Sequence, residues 1–336
     1  EGWKNTEIAR YMRETYGVSN EKTALAITIA NREKALLQDL DYENGYSLYV
    51  GIPFCPSICL YCSFGSHPLE RWTKRVGEYL DTLCKELTFI REQMGARKLT
   101  TVYIGGGTPT TLEPEQLRRL LSHIQETFDF TWVKEYTVEA GRPDSITREK
   151  LQVMKEFPVT RISVNPQTMN QKTLDVIGRK HTVEDTINIF HMARELEFDN
   201  INMDLIIGLP GEGKEEVAHT LQEIEKLHPD SLTIHSLALK RATRLNLFKD
   251  KYEEMSFENS KEIMEMTQQC AGNMGMGPYY LYRQKNIAGN FENVGYAEVD
   301  KAGIYNILIM EEKQTILAAG AGASTKFVFE HGTRIE

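Results

Sequence analysis

The sequence predicts an α/β fold: a parallel sheet with helical crossovers, a helical segment in front and a small α+β extension behind. Two observations predict it. Short β-branched or aromatic runs alternate with longer amphipathic helices six times between about residues 47 and 275, the pattern of repeated β-then-α units. The residues with chemistry to offer fall just after those runs: the cysteines of 55–62, the glycines of 105–107, Glu139, Gln167 and Leu209-Pro210. In parallel α/β architectures that edge of the sheet is where ligands bind. A chain of 336 residues that is 41% apolar fills either one large barrel or two ordinary domains.

The elements follow in order. Residues 4–15 and 20–37 read as helices, the second with Ala24, Ile27, Ala30 and Leu37 among charged positions. Residues 39–45 form a polar turn region, and the first strand spans about 47–52. Val76, Tyr79, Leu80, Leu83, Leu87 and Ile90 recur at helical spacing over 70–94. A strand at 101–104 ends in Gly105-Gly106-Gly107-Thr108-Pro109, and Pro114 suits the first turn of the next helix. The third strand, 135–140, closes on Gly141-Arg142-Pro143, and Thr147 is placed to cap the helix at 148–157. Strands at 160–165, 201–207 and 231–237 complete the six, separated by helices at about 170–177 and 183–197 and by one carrying Val217, Leu221, Ile224 and Leu227. A last helix covers about 256–275. Beyond it the texture changes to strand-like pieces at 279–282, 293–297, 303–310 and 314–318, expected to pack as a small extension beside the barrel. The expected divisions are thus a helical segment 1–45, a core 46–275 and an extension 276–336 that closes the substrate cavity.

Composition excludes several classes. A net charge of -9 and an isoelectric point near 5.5 argue against a dominant nucleic-acid surface. No run approaches the roughly 18 apolar residues that a membrane span needs. The start, Glu1-Gly2-Trp3, has neither Met nor a signal-like apolar stretch and reads as the beginning of a fragment. Five cysteines, three of them clustered, do not suggest a secreted disulfide framework; a reducing cytoplasm fits better.

The cluster is Cys55-x-x-x-Cys59-x-x-Cys62, after a strand and a proline. Three thiolates on one loop can hold three irons of a 4Fe–4S cluster and leave the fourth iron open to a small molecule. Structural zinc is the alternative. It takes a fourth ligand, usually from a second cysteine pair; no second pair exists, and His67 is a lone candidate. A redox disulfide or buried thiols are the remaining alternatives. The glycine loop at 105–107 is a strand-to-helix turn or a place where a ligand meets backbone N–H groups. Asp204 and Glu139 end apolar runs, where an unpartnered carboxylate is costly. Arg161 pairs structurally with a strand-end carboxylate or serves the site. Cys84 and Cys270 lie on helices and read as ordinary thiols. Tyrosines 279–282 form a core strand or stack on a flat ligand.

From about Tyr46 to Phe327 the sequence resembles the radical S-adenosylmethionine (SAM) enzymes, and within them the oxygen-independent coproporphyrinogen III dehydrogenases. The resemblance rests on Tyr49-Val50-Gly51-Ile52-Pro53-Phe54-Cys55, Gly105-Gly106-Gly107-Thr108-Pro109, Glu139, Arg161-Ile162-Ser163, Gln167, Gly178-Arg179-Lys180-His181 and the run from Asn202 to Gly211. Gly51 before Ile52-Pro53, the run 138–143, Asn165-Pro166-Gln167 and the run 278–285 are closest to the branch called HemZ. The resemblance implies a partial (β/α)6 radical-SAM barrel. Cys55, Cys59 and Cys62 would be the catalytic and metal-binding residues, holding the 4Fe–4S cluster whose open iron takes the methionine end of SAM. Gly106, Gly107 and Thr108 would line that end. Gln167 and Asp204 would bind the ribose and nearby polar groups, and Arg179 the carboxylate. Tyr61 and Ala238 would lie by the adenine. Tyr49, Gly106 and Glu139 match positions tied to a second SAM.

The implied reaction cleaves SAM to a 5′-deoxyadenosyl radical, which takes hydrogen from propionate side chains of coproporphyrinogen III. Loss of carbon dioxide leaves the vinyl groups of protoporphyrinogen IX, a step of haem biosynthesis. Expected partners are a tetrapyrrole, with Arg283 and Lys285 as candidate anchors, and a one-electron donor such as flavodoxin or ferredoxin; the chain is expected to be a monomer. Two positions depart from the pattern. Gly51 stands where the best-known dehydrogenases have His, and Phe64 where they have a further Cys. The alternatives are a haem chaperone, whose relatives carry a His-Asn-x-x-Tyr-Trp motif absent from this chain, and a haem methyltransferase or ring-opening enzyme on the same scaffold.

Overall fold

The computed structural model describes residues 2–62, 67–241, 243–248, 252, 255, 257–285, 287–329 and 334–335. Two helices lead, α1 (Asn5–Tyr16) and α2 (Asn20–Leu36). Six strands then alternate with helices: β1 (Tyr46–Ile52), α3 (Val76–Met94), β2 (Leu99–Gly106), α4 (Pro114–Thr127), β3 (Glu135–Gly141), α5 (Arg148–Lys155), β4 (Arg161–Val164), α6 (Gln171–Val176), α7 (Val183–Glu195), β5 (Ile201–Ile207), α8 (Lys214–Leu227) and β6 (Ser231–Ser236). The expected caps are present. Pro114 opens α4, and the Thr147 hydroxyl accepts from the Lys150 N–H at the start of α5.

Further along the chain lie α9 (Arg244–Leu247), α10 (Lys261–Asn273), β7 (Gly277–Tyr282), β8 (Asn293–Ala297), α11 (Ile304–Met310) and β9 (Ile316–Ala319). These nine strands join one sheet in the order β9-β1-β2-β3-β4-β5-β6-β8-β7, and two short ladders, Phe54–Cys55 with His67–Pro68 and Phe327–Val328 with Arg334–Ile335, lie outside it. β9 to β6 run parallel; β8 and β7 add antiparallel strands beyond β6. Among the described residues the two end strands of that order, β9 and β7, do not pair, so the sheet stays an open, incomplete barrel. The C-terminal strands therefore extend both edges of the sheet rather than packing beside it. They give β1 and β6 partners, which removes two bare edges.

One expected strand is a helix. Residues 303–310 carry the β-branched content of a strand, but Ile304, Ile307 and Leu308 stand at helical spacing, and α11 buries Tyr305, Ile307 and Leu308. Ile304, Ile307 and Leu308, with separations of three, four and one, share a helical face that a strand would split.

The sheet's two faces explain its strand sequences. Leu48, Val50, Val102, Ile104, Tyr136, Val138, Ile162, Val164, Met203, Leu205, Leu232 and Ile234 all join the main apolar core, together with Leu83 and Leu87 of α3 and Leu117 and Leu121 of α4. The alternate residues face the other way: Glu135 and Glu139, Arg161 and Ser163, Asn202 and Asp204, and Ser231, Thr233 and His235. The helix-covered face is apolar, and the inner face is mostly polar, with Ile206 an apolar exception that lines the cavity described below.

Candidate active site

The cysteine loop is held from three sides. Its Leu60 N–H donates to Ile177 O (2.9 Å), and Leu60 O accepts from Leu245 N–H (3.0 Å). The Ser57 hydroxyl donates to Gly178 O at 3.1 Å. Arg142, at the end of β3, donates from Nη1 to Ser57 O and Ser57 Oγ (both 2.9 Å) and lies 3.6 Å from Cys59 Sγ. Asp144 pairs with the same guanidinium at 2.7 Å. A buried cation thus sits against one thiol, and Thr108 Oγ1 lies 3.5 Å from another, Cys55 Sγ.

The glycine loop touches the cysteine loop directly. Gly107 N–H donates to Ile52 O (2.7 Å) and Thr108 N–H to Phe54 O (2.8 Å). The N–H groups of Gly107 and Thr108 are therefore engaged by the chain. What the glycines provide is closeness. A Cβ on Gly107 would lie 2.6 Å from Phe54 O and 3.0 Å from Cys55 Sγ, and Gly106 has φ +109° with Ile52 atoms at 3.0 Å. A side chain at 107 would fill the space beside the first thiol.

A cavity of about 310 Å³ opens at this edge. Of the residues singled out in the sequence, Cys55, Cys59, Cys62, Tyr61, Gly106, Gly107, Thr108, Glu139, Gln167, Arg179, Asp204 and Ala238 all line it. Tyr49 is not among its lining residues; it stacks on Tyr103 (centroids 6.1 Å) and Tyr305 (6.3 Å) behind the wall. The sequence missed Arg142, Asn165, His235 and Lys240, which also line it. His235 was findable, because it continues the inward alternation of Ser231 and Thr233. Arg142 lies in a Gly-Arg-Pro turn that advertises only a bend.

Charge in the wall is uneven. Burial pushes the Glu139 carboxyl up to about 7, with Asp204 adding to the rise against a hydrogen bond from the Tyr103 hydroxyl. Asp204 behaves oppositely. Burial raises it, but the His235 imidazole nearby, a hydrogen bond from Asn202 and the Arg161 charge outweigh burial and hold it below the usual carboxylate range. Asn202 Nδ2 donates to Asp204 Oδ1 at 2.7 Å. His235 Nε2 is 3.9 Å from Asp204 Oδ2, and its Nδ1 shares a 3.0 Å hydrogen bond with the Tyr282 hydroxyl. Arg179 donates to Asn165 O (2.9 Å) and Tyr61 Oη (3.0 Å). Its Nε and the Asn165 Oδ1 have no protein partner although both are buried. Gln167 adopts φ +69°, and its backbone bonds β5 at Asp204 O and Ile206 N.

The donor set fits a cuboidal cluster with an organic ligand beside it. Three sulfurs are offered without a fourth, one faces a guanidinium, and two buried polar atoms on the wall await a partner. His67, the lone candidate for a fourth zinc ligand, is exposed against Trp72 (5.2 Å) and does not line the cavity. Phe64 lies outside the described residues. Gly51 faces β9: a Cβ there meets Ala319 O and Ala323 Cβ at an ordinary 3.5 Å. Gly320, in a small-residue run over 318–324, packs on Gly51: a Cβ on Gly320 would lie 2.5 Å from the Gly51 carbonyl oxygen. Tyr279 and Tyr280 are core residues, and Tyr282 reaches the cavity. Arg161 and His181 are fully buried off the cavity wall, and Cys84 and Cys270 are buried helix thiols.

The family model described as the radical SAM superfamily matches residues 49–224. The Bacillus subtilis oxygen-independent coproporphyrinogen-III oxidase-like protein HemZ is 46% identical over 331 residues, covering 97% of this chain and 66% of that one. The heme chaperone HemW of the same organism is 37% identical over 198 residues, 59% of this chain and 52% of its own. Among solved structures, the coproporphyrinogen III oxidase of Escherichia coli, titled a radical SAM enzyme, superposes with a TM-score of 0.68 at 25% identity, over 87% of this chain and 67% of that one. The chain thus spans about half to two thirds of the length of the relatives it matches.

Proposed function

The chain belongs to the radical SAM superfamily, and we propose that it oxidatively decarboxylates propionate side chains of coproporphyrinogen III. The observation that carries this is the composition of one cavity. Three loop thiols stand at one end; His235, Lys240 and Tyr282 stand elsewhere on its wall, a basic and aromatic lining suited to a flat substrate bearing carboxylates. When bound, the 4Fe–4S cluster and SAM supply one-electron carbon–sulfur cleavage and the hydrogen abstraction that follows.

The chain's own groups do the rest. Cys55, Cys59 and Cys62 would hold the cluster, with Arg142 offsetting thiolate charge at Cys59. Gly106 and Gly107 bring the backbone close enough for the methionine end of SAM to lie beside Cys55. Arg179, kept protonated by Tyr61, Cys59 and Asp144 against the opposing effect of burial, would take the SAM carboxylate, and Asn165 Oδ1 would accept from its ammonium. Asp204 stays ionised and would hold the ribose hydroxyls, with Gln167 beside it. Tyr61 and Ala238 would bracket the adenine. Glu139, raised to about 7 by burial and so about half protonated at pH 7, donates or accepts as its occupant requires.

The 37% identity to a haem chaperone carries a second reading, haem binding without turnover. One anaerobic assay separates the two. The reconstituted chain is given reductant, SAM and coproporphyrinogen III. Protoporphyrinogen IX formed with 5′-deoxyadenosine is the expected result. Cofactor cleavage without decarboxylation defeats the dehydrogenase proposal, and stable binding of haem supplied in place of coproporphyrinogen III, without turnover, supports the chaperone.

A further inference from the structure

We infer that Lys150 is a positioning residue for the thiol site, tying together the two turns that bring Thr108 to Cys55 and Arg142 to Cys59; this rests on the cluster reading above. Each turn follows a strand of the sheet. Pro109–Thr111 comes after β2 and Pro143–Ser145 after β3, both as one turn of 3₁₀ helix. Lys150 lies on α5 and is only 7% exposed. Its Nζ donates to Thr110 O (2.7 Å) and to Ser145 O (3.0 Å), one carbonyl from each turn. Hydroxyls complete the tie. Thr110 Oγ1 lies 2.6 Å from both Ala140 O and Ser145 Oγ, and Ser145 Oγ lies 2.8 Å from Arg142 O. Thr111 Oγ1 donates to Thr108 O at 2.6 Å. The same two stretches then reach the thiols: Thr108 Oγ1 is 3.5 Å from Cys55 Sγ, and Arg142 Nη1 is 3.6 Å from Cys59 Sγ.

Lys150 bonds backbone carbonyls rather than a carboxylate. Burial lowers its pKa from the ordinary lysine value, and the Glu113 charge opposes that. A buried ammonium without a salt-bridge partner is costly, and a methionine of similar length would pack there without that cost. What the ammonium adds is reach to two carbonyls at once, from three donors on one atom. Those carbonyls belong to different turns, so the seat of Arg142 beside Cys59 depends on a side chain with no thiol contact of its own. A cation and a hydrogen-bond donor at a ligating sulfur make a cluster easier to reduce. Loosening the tie therefore lowers the cluster's potential by way of Arg142.

The test uses the full chain reconstituted with iron and sulfide, and reads the midpoint potential of the cluster by EPR against redox dyes. Arg142→Met/Asp144→Asn, which removes the ion pair at the thiol, should be harder to reduce by about 10-fold in the equilibrium, or about 59 mV for one electron. Lys150→Met should move the potential in the same direction by a smaller amount. Added to the Arg142→Met/Asp144→Asn chain, Lys150→Met should move it no further. Thr110→Val keeps the Lys150 charge and loses one hydroxyl of the tie; it should also shift the potential downward, and it decides the matter where Lys150→Met does not fold. An equal shift by Lys150→Met in both backgrounds overturns the positioning role, because Lys150 then acts by its own charge. A wild-type potential in Lys150→Met or in Thr110→Val overturns it too, with the cluster reading intact. A wild type that forms no cluster overturns that reading and the positioning role with it.

Discussion

The inner face of the sheet has two layers built from the same strands. At the lower layer, Glu135, Arg161, Asn202, Ser231 and Thr233 are buried and bond mostly to one another. Arg161 Nη2 donates to Ser231 Oγ (3.2 Å), Ser231 Oγ and Thr233 Oγ1 donate to Asn202 Oδ1 (3.0 and 3.2 Å), and Glu135 accepts from Thr137 Oγ1 (2.9 Å). Arg161 Nε is an exception, without a partner. At the upper layer, Glu139, Asn165, Asp204 and His235 line an open cavity, and Asn165 Oδ1 has no protein partner. A polar interior that satisfies itself is structure; one that leaves groups facing space is a site. Asn202 joins the two, accepting from the lower layer and donating to Asp204.

The contrast breaks if both layers respond alike to substitution. Arg161→Met leaves Glu135 buried without its nearby cation and should cost about 3–5 kcal/mol of apo-protein stability in urea titrations, with cleavage per folded molecule largely kept. Asp204→Asn should do the reverse: SAM affinity down about 10- to 100-fold, or about 1.4–2.8 kcal/mol, with stability changed by less than about 1 kcal/mol. Equal stability losses in the two would erase the distinction.

Glu139→Gln sharpens it through pH. The native carboxyl titrates near 7, above its ordinary value of 4.5. The unfolded chain therefore releases the proton first, and Glu139 contributes stability that is present below pH 4.5 and lost as pH rises through 7. Thermal melts of the apo protein at pH 5 and pH 8 should show the Gln variant gaining about 1–2 kcal/mol on the wild type at the higher pH, after allowance for solvent in the cavity. A parallel pH dependence in both chains contradicts the assignment. Glu33, also raised to about 7 by burial on α2, leaves a common background. Smallest is Asn165→Ala, which should change apo stability by under about 0.5 kcal/mol while weakening SAM binding; a large stability loss would move Asn165 into the lower layer.

Much of this was legible in the sequence, for local reasons. Three thiols in eight residues need no neighbours to be seen, and the six core strands follow from alternation that the sheet's two faces impose. What escaped depends on distant partners. Strands β7, β8 and β9 look like a separate tail because pairing with β1 and β6 leaves no local mark. His235 reads as one more strand residue until Tyr282, 47 positions later, meets its ring. Arg142 reads as a turn until Ser57 and Cys59, over 80 positions earlier, fold under it. The 303–310 segment looks like a strand because isoleucine favours strands by type, while its spacing favours the helix it forms.

The central claim is that Cys55, Cys59 and Cys62 form a cluster site open to SAM. The most direct test compares wild type and Cys59→Ala, each reconstituted anaerobically with iron and sulfide, by the visible absorption of the cluster and by 5′-deoxyadenosine formed from SAM under dithionite. The wild type should show both signals. The variant should keep the helical content of the fold and lose both. Deoxyadenosine formed at the wild-type rate by Cys59→Ala would contradict the claim.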